Sequence, residues 1–310
     1  MKIRHWVKRE NSGLFHTMAE LAAGEEKAGH GVSIRQPNGE APLYGPPDFD
    51  PDVELIHSQF NIDQYQNGKP AIMWMHGEPL SSVGNKVSMK AIVDLAPLMD
   101  AFICMRREEH IVWNSIKRTY LVPKGIDLDL YKPLGIEAQR LEGEPAILYC
   151  ENWRGQRNPL YLCLAMQEVI KKYPKARLHL VNCNDKKMMA TFKALINNNK
   201  WWRFIKTLAP GVPSNQMNLL YNRADIVVSC LYPLYARSIE AFGAGKAFIG
   251  PGYNEPGYPW TCDLQPESIA EAIVKCWENY DRVDYRKWAE SRHDVAETVR
   301  QSVGVYERYL

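Results

Sequence analysis

The chain has 310 residues, which is long enough for two domains of ordinary size that each bury a core. Its hydrophobic fraction of 45% and its charged fraction of 24% are typical of globular proteins. The formal net charge of +2 gives no electrostatic argument for a nucleic acid or a membrane surface as partner. No apolar run approaches the roughly 18 residues that span a bilayer, and the first residues lack the apolar core of a signal peptide.

The seven cysteines are scattered along the chain. They form no Cys-x-x-Cys pair, and no histidine lies at a spacing that suits zinc. We therefore expect free thiols, a cytoplasmic location and no metal site.

Short apolar runs rich in β-branched residues alternate with helical patterns along the whole chain. In the first half, strands are predicted at residues 3–7, 32–35, 53–57, 71–75 and 101–105, and helices at 15–28, 87–98 and 108–116. In the second half, strands are predicted at 146–150, 177–181, 204–208, 226–229 and 247–249. Helices are predicted there at 160–172, 186–197, 215–222, from near Arg237, and at 268–280 and 285–309.

Two consecutive runs of β-α-β units predict two doubly wound α/β domains that face each other across a cleft. We expect the first domain to cover residues 1–133 and the second to cover 145–288. The polar, strand-free stretch 134–144 is the predicted linker. The last helix, from about residue 289 to 310, is expected to pack back on the first domain.

The stretch 219–250 is where we expect a ligand to bind. Parallel sheets bind ligands where their strands end, and a helix N-terminus offers free N–H groups to phosphates. One acid, Glu240, lies in the helix that follows the strand at 226–229. It is either an acid favoured by the dipole of a helix N-terminus or a carboxylate that accepts hydrogen bonds from the hydroxyl groups of a ribose.

Six motifs follow one another in order along nearly the whole chain. They are Ser12-Gly13 with Gly29-His30-Gly31-Val32; Asp52-Val-Glu-Leu-Ile-His57; Met75-His76-Gly77; Val122-Pro-Lys-Gly-Ile-Asp127 with Tyr131-Lys132-Pro133; Ile147-Leu-Tyr-Cys150 with Arg157-Asn158; and Ser238-Ile-Glu-Ala-Phe-Gly-Ala-Gly-Lys-Ala-Phe-Ile249. This series resembles that of the retaining glycosyltransferases of the GT-B fold, in the group of glycogen synthase-like and mannosyltransferase enzymes. The resemblance implies two Rossmann-like domains and a nucleotide-sugar donor.

The resemblance implies that the second domain binds the donor and that Glu240 holds its ribose. Arg154 and Arg157 are expected to neutralise the diphosphate, which gains negative charge as the glycosidic bond breaks. Such arginines replace a metal ion, so neither a cation nor a cofactor is expected. Three further positions are expected to contact the donor: Thr207, Tyr235 and Ala236. The alternative interpretation is that Arg154 and Arg157 are solvated side chains of a loop.

In the first domain, the resemblance places His76 in the catalytic site, with a hydrogen bond to the donor sugar. It places Gly13 where its backbone approaches the phosphates. A lone histidine is otherwise more often structural, and a glycine at a strand–helix turn often serves only to allow a positive φ.

Two departures from the family pattern concern the sugar side of the site. The family usually carries a second glutamate eight residues before the position of Glu240, and this chain has Tyr232 there. Where the family has Gly-Arg-Leu after the first strand of the second domain, the chain has Glu151-Asn152-Trp153.

The sequence thus predicts a metal-independent retaining glycosyltransferase that moves a sugar from a nucleoside diphosphate to a hydroxyl acceptor, which is a glycan, a lipid or a protein. One alternative is a nucleotide-sugar epimerase of the same fold. The other is a non-catalytic protein that binds nucleotide sugars.

Overall fold

The computed structural model describes residues 1–7, 13–36, 42–57, 68–75, 92–135, 139–151, 159–181, 186–208, 212, 216–229, 236–251, 253 and 255–310. These residues form two compact units. The first unit joins Met1–Asp127 to His293–Leu310, and the second unit is Leu128–Arg292. The boundaries at residues 133 and 145 stay predictions.

The first unit is built on a parallel sheet of order β2-β1-β3-β4-β5-β6. Its strands are β1 (Lys2–Trp6), β2 (Gly31–Arg35), β3 (Val53–Ile56), β4 (Ala71–Met75), β5 (Ala101–Cys104) and β6 (Thr119–Leu121). Its helices include α1 (Gly13–Lys27), α2 (Arg107–Asn114) and, from the far end of the chain, α9 (Val295–Tyr306). Every described strand pair is parallel, so the strands all end at one edge of the sheet.

Alternate side chains of the central strands enter opposite layers of the core, as the pleat of a strand requires. Leu55, Trp74 and Ile103 pack with Val299 and Tyr306 of α9 on one face of the sheet. Their neighbours in sequence pack on the other face with Trp113 of α2; these neighbours include Ile56, Met73, Met75, Phe102 and Cys104. The long apolar runs of the strands are therefore buried on both faces, as in other parallel sheets.

The second unit contains a parallel sheet of order β11-β10-β7-β8-β9. Its strands are β7 (Ala146–Tyr149), β8 (Arg177–Leu180), β9 (Ile205–Leu208), β10 (Ile226–Val228) and β11 (Ala247–Ile249). Its helices are α3 (Leu160–Lys172), α4 (Lys186–Asn198), α5 (Met217–Arg223), α6 (Ala236–Gly243), α7 (Pro266–Glu278) and α8 (Tyr285–Arg292). Two parallel sheets with flanking helices confirm the predicted α/β fold class.

The strand β6 and the last helix differ from the sequence prediction. The sequence did not predict β6, because a strand of three residues at the edge of a sheet is too short to show a recognisable pattern. The last helix, predicted as one run over 285–309, is broken at His293 into α8 and α9. The break arises because Ile126 pairs with the backbone there: its N–H donates to His293 O (2.9 Å) and its carbonyl accepts from Val295 N (3.1 Å).

Asp294 then caps α9, since its Oδ1 accepts a hydrogen bond from Ala296 N at 2.9 Å. The crossing of the two chain segments is close at Gly125. A Cβ added there would lie 2.6 Å from Thr298 Oγ1 and 2.6 Å from Val295 Cα, so only glycine fits.

No described helix combines the length and the apolar character that crossing a bilayer requires.

Candidate nucleotide-sugar site

The candidate site of the second unit lies at the edge of the sheet where β7 and β10 end. Ser229, directly after β10, is buried, and α6 begins at Ala236 after the segment 230–235. The first turn of an α-helix carries N–H groups without partners inside the helix, which suit an anion. The helix begins at Ala236, one residue before the predicted start near Arg237.

The other end of α6 is closed by a Schellman motif. Lys246 N donates to Ala241 O and Gly245 N to Phe242 O, both at 2.9 Å, and Gly245 has a φ of +74°. Arg286 adds a guanidinium hydrogen bond to Gly243 O at 2.9 Å. A cation at the negative end of a helix is favourable, so this short helix is held firmly at its C-terminus.

Glu240 lies on α6 with only 6% of its surface exposed. The hydroxyl group of Tyr221, on α5, donates to Glu240 Oε2 at 2.5 Å, and Tyr221 itself is fully buried. The thiol of Cys150, just after β7, lies 3.9 Å from the same hydroxyl oxygen. The carboxylate group is therefore held by a neighbour from α5.

The helix α5 also holds the segment that leads into the predicted linker. Asn218 Oδ1 accepts from Lys132 N at 3.2 Å, and Asn222 Oδ1 accepts from Leu134 N at 2.8 Å. The ring of Tyr131 packs against that of Tyr221, with centroids 6.3 Å apart. One short helix thus joins the Tyr-Lys-Pro motif to the acid of the candidate site.

Glu151 is a second buried acid at this edge of the sheet. It follows β7 by two residues, and 3% of it is exposed. It stands where the family pattern has a glycine, so the departure seen in the sequence places a carboxyl group beside the end of the central strand.

Of the other predicted residues, the structure describes Gly13 and Thr207. Gly13 is the first residue of α1, the helix that follows β1 in the chain. Thr207 lies on β9, the edge strand, which is separated from β10 by β7 and β8. His76, Arg154, Arg157 and Tyr235 lie outside the described residues.

Sequence reasoning missed Tyr221, Asn218 and Asn222. A tyrosine within an apolar helical pattern indicates only a core residue, because periodicity carries no information about which side chain it meets. The sequence signal that could have identified Tyr221 was its position in the run Leu-Leu-Tyr-Asn-Arg-Ala-Asp, which directly precedes the strand β10.

Within the described part of the chain, no group of three or more His, Cys, Asp or Glu residues is arranged to hold a metal ion. The five described cysteines that are free thiols are Cys104, Cys150, Cys163, Cys262 and Cys276.

No protein-family model matches the sequence, and no curated protein matches it either. Several solved structures, in contrast, match the fold of the chain. A sucrose-phosphate synthase from Thermosynechococcus elongatus superposes with a TM-score of 0.79 at 14% identity, over 99% of this chain and 98% of that one. HepE from Anabaena, solved in complex with UDP and glucose, gives 0.76 at 13% identity over 99% and 100%. A glycosyltransferase from Rickettsia africae gives 0.73 at 15% identity over 99% and 98%.

At these identities the likeness concerns the fold, and it extends over nearly the whole of each chain. It agrees with the two parallel sheets and with the order of motifs in the sequence. The chain has the GT-B fold of these glycosyltransferases.

Proposed function

We propose that the protein is a glycosyltransferase that moves a sugar from a nucleoside diphosphate sugar to a hydroxyl acceptor. The observation that carries the proposal is the buried Glu240 carboxylate, which Tyr221 holds on the helix after β10. A carboxylate only accepts hydrogen bonds, so it suits the neighbouring hydroxyl groups of a ribose. HepE, which shares the fold, was solved with UDP-glucose as well as with UDP and glucose.

The donor's diphosphate would then meet the first turn of α6 and the two arginines assigned from the sequence, Arg154 and Arg157. Guanidinium groups bind phosphate oxygens in pairs and neutralise the charge that develops on the leaving group. On this assignment the protein itself supplies the positive charge, and we propose that transfer needs no metal ion.

We further propose that transfer retains the configuration of the sugar. The resemblance to retaining enzymes supports this, as does the absence of an obvious protein nucleophile in the sequence. In the front-face route, an oxygen of the leaving phosphate takes the proton of the acceptor hydroxyl. The first unit would bind the acceptor, with His76 and Gly13 as the residues assigned to it from the sequence.

Nucleotide binding tests the donor site directly. The melting temperature is measured with UDP, GDP and ADP for the unchanged protein and for Glu240→Ala. One diphosphate is expected to stabilise the protein, and the variant is expected to bind it about 10–100-fold more weakly, because a hydrogen bond to a charged group is worth about 1.5–3 kcal/mol. Glu271→Ala is the control, since Glu271 is an exposed acid of α7 paired with Lys275.

Incubation with nucleotide sugars separates the three candidate functions. Free nucleoside diphosphate indicates transfer or hydrolysis, an altered sugar on intact nucleotide indicates an epimerase, and binding without turnover indicates a non-catalytic protein. If no nucleotide sugar binds or reacts, or if Glu271→Ala weakens binding as much as Glu240→Ala, the proposal is wrong.

A further inference from the structure

The positive charge of the chain is distributed unevenly. Its formal net charge is only +2, but residues 186–224 contain no aspartate and no glutamate. The cations of this stretch are Lys186, Lys187, Lys193, Lys200, Arg203, Lys206 and Arg223. Cations gathered in one part of a folded protein repel one another and attract anionic partners. The near-neutral total therefore hides a strongly basic region of the second unit.

A tight turn in this region connects α4 to β9, and we call residues 200–203 the Trp202 turn. Lys200 has a φ of +59°, and the next three residues form one turn of 3₁₀ helix. The side chain of Trp201 is directed inward: it is 3% exposed, and its ring packs against Phe192 of α4 with centroids 6.2 Å apart. Trp202 is 57% exposed. The buried tryptophan thus holds the turn on the domain, while the next one is presented to solvent.

Cations flank the exposed ring. Lys200 precedes Trp202 by two residues, and the guanidinium carbon of Arg203 lies 5.7 Å from the centroid of its ring. Both cations are exposed, and neither has a carboxylate partner in the part of the chain that the structure describes. The same holds for Lys193, which follows Phe192 on α4. A large apolar ring and uncompensated positive charge therefore occur together on this surface.

Glu142 is the acid that meets the strand after the turn, and two cations share it. Its Oε1 lies 3.1 Å from Lys206 Nζ and 3.5 Å from Arg177 Nε. The hydrogen bond from Lys206, together with the nearby charge of Arg177, lowers the pKa of Glu142, so it is a carboxylate at neutral pH. One negative charge against two positive charges leaves this neighbourhood basic as well.

The Trp202 turn lies at the edge of the sheet where the strands begin. β9 starts at Ile205, two residues after the turn, and runs parallel to β8, which starts at Arg177. The candidate nucleotide-sugar site of the same unit lies where β7 and β10 end, which is the opposite edge. A partner bound at the turn would therefore leave the nucleotide site accessible.

We propose that the Trp202 turn docks on the surface of a membrane that contains anionic lipids. A tryptophan ring combines a large apolar area with one N–H group, and it favours the boundary between lipid headgroups and acyl chains. Lysine and arginine side chains beside it would meet the lipid phosphates. The protein would lie on the membrane without crossing it.

A nucleic acid fits this surface less well. Proteins that bind single strands present several aromatic rings on which successive bases stack. In the turn, Trp201 is buried, so Trp202 alone offers a ring, and the guanidinium of Arg203 lies over it. One exposed ring between two cations instead matches the depth profile of a lipid surface, with the apolar layer below the phosphates.

Sedimentation with large vesicles tests the proposal on the whole, unchanged protein. One set of vesicles contains phosphatidylcholine alone, and the other contains phosphatidylglycerol as about one third of its lipid. The protein is expected to sediment with the anionic vesicles only. Binding is expected to weaken as the salt concentration rises, because salt screens charges that are exposed to solvent. No nucleotide enters this measurement, so its outcome is independent of the proposed function.

Two variants locate the binding surface. Lys200→Gln combined with Arg203→Gln is expected to lower the partition coefficient about 25-fold, since each cation near an anionic surface contributes about fivefold. Trp202→Ala is expected to lower it about 5–10-fold, because part of an apolar side chain is no longer removed from water. The melting temperature is expected to stay unchanged in both, since the altered side chains are exposed.

Matched controls remove the same groups elsewhere. Lys275→Gln with Arg300→Gln deletes two exposed cations that each pair with an acid of their own helix. Tyr161→Ala deletes a ring that is 42% exposed on α3. Both controls are expected to bind within about twofold of the unchanged protein.

Three results would overturn the proposal. The first is an unchanged protein that does not sediment with anionic vesicles. The second is a loss in the controls as large as in the variants of the Trp202 turn. The third is binding to a single-stranded RNA oligonucleotide without binding to anionic vesicles, which would assign the basic turn to nucleic acid.

Discussion

At the scale of single residues, Tyr221 determines how Glu240 presents its carboxylate. A glutamate side chain has three rotatable bonds, and a buried charge is stable only with hydrogen bonds. The Tyr221 hydroxyl supplies one at 2.5 Å and so restricts the rotamer while stabilising the charge. A ribose would then meet an acceptor that is already in place, which lowers the entropy cost of binding.

We predict that Tyr221→Phe weakens the binding of whichever nucleoside diphosphate stabilises the protein about 5–10-fold, a fraction of the value of a hydrogen bond to a charged group. Isothermal titration calorimetry measures the Kd. The ring stays in place in this variant, so the packing against Tyr131 is kept.

Tyr258→Phe is the control for the loss of a buried hydroxyl in the same unit, since Tyr258 donates to Phe248 O at 2.5 Å. It is expected to lower stability without changing the Kd. Equal Kd values for Tyr221→Phe and the unchanged protein would show that Glu240 needs no such partner.

The sequence was enough to place Glu240 on a helix after a buried strand, because the apolar run and the glycines mark both elements. It was not enough to find Tyr221, which lies 19 residues earlier and meets Glu240 only through the packing of α5 beside α6. Contacts between elements depend on the three-dimensional register, which periodicity does not contain.

At the scale of elements, the start of α9 depends on its crossing with residues 122–127. Gly125 lies against Val295, Asp294 and Thr298, and the hydroxyl of Thr298 donates to Pro123 O at 2.8 Å. The pattern over 285–309 is helical throughout, so a single helix was the reasonable prediction. The break is imposed by a segment some 170 residues earlier in the chain, as the hydrogen bond between Ile126 and His293 shows.

We predict that Gly125→Ala destabilises the protein by about 1–3 kcal/mol, the typical cost of overpacking, because its Cβ would meet backbone atoms that cannot move aside. Urea unfolding followed by circular dichroism measures the change. Gly304→Ala on α9 is the matched control: nothing lies within 4 Å of its added Cβ, and the helix should gain about 0.5–1 kcal/mol. A loss of stability in both variants, or in neither, would contradict this description of the crossing.

At the scale of the whole molecule, each unit has its own core, and each core contains at least one buried thiol. Burial raises the pKa of Cys104 in the first unit to about 12, with a contribution from Glu109. Burial also raises the pKa of Cys276 in the second unit to about 12. At pH 8, only on the order of one in ten thousand of these thiols is then present as the reactive thiolate in the folded protein. Alkylation of Cys104 or Cys276 therefore requires unfolding.

We predict that site-resolved alkylation at pH 8 labels Cys104 and Cys276 only as their own units unfold. Mass spectrometry across a urea series should give one labelling midpoint for each cysteine, and Gly125→Ala should lower the midpoint of Cys104 more than that of Cys276. Rapid labelling of either thiol without urea would contradict the burial described here. Identical shifts at both sites would show that the two units unfold as one.

The discontinuity of the first unit has a consequence for synthesis on the ribosome. Residues 1–127 leave the exit tunnel first, but Val299, Val305 and Tyr306, which complete their core, are made only after the entire second unit. At about 5–20 residues per second, that interval is on the order of ten seconds. During that interval we expect the apolar face of the sheet that α9 will cover to stay exposed, so that chaperones which bind apolar surfaces can recognise the nascent chain and the second unit can fold before the first is complete.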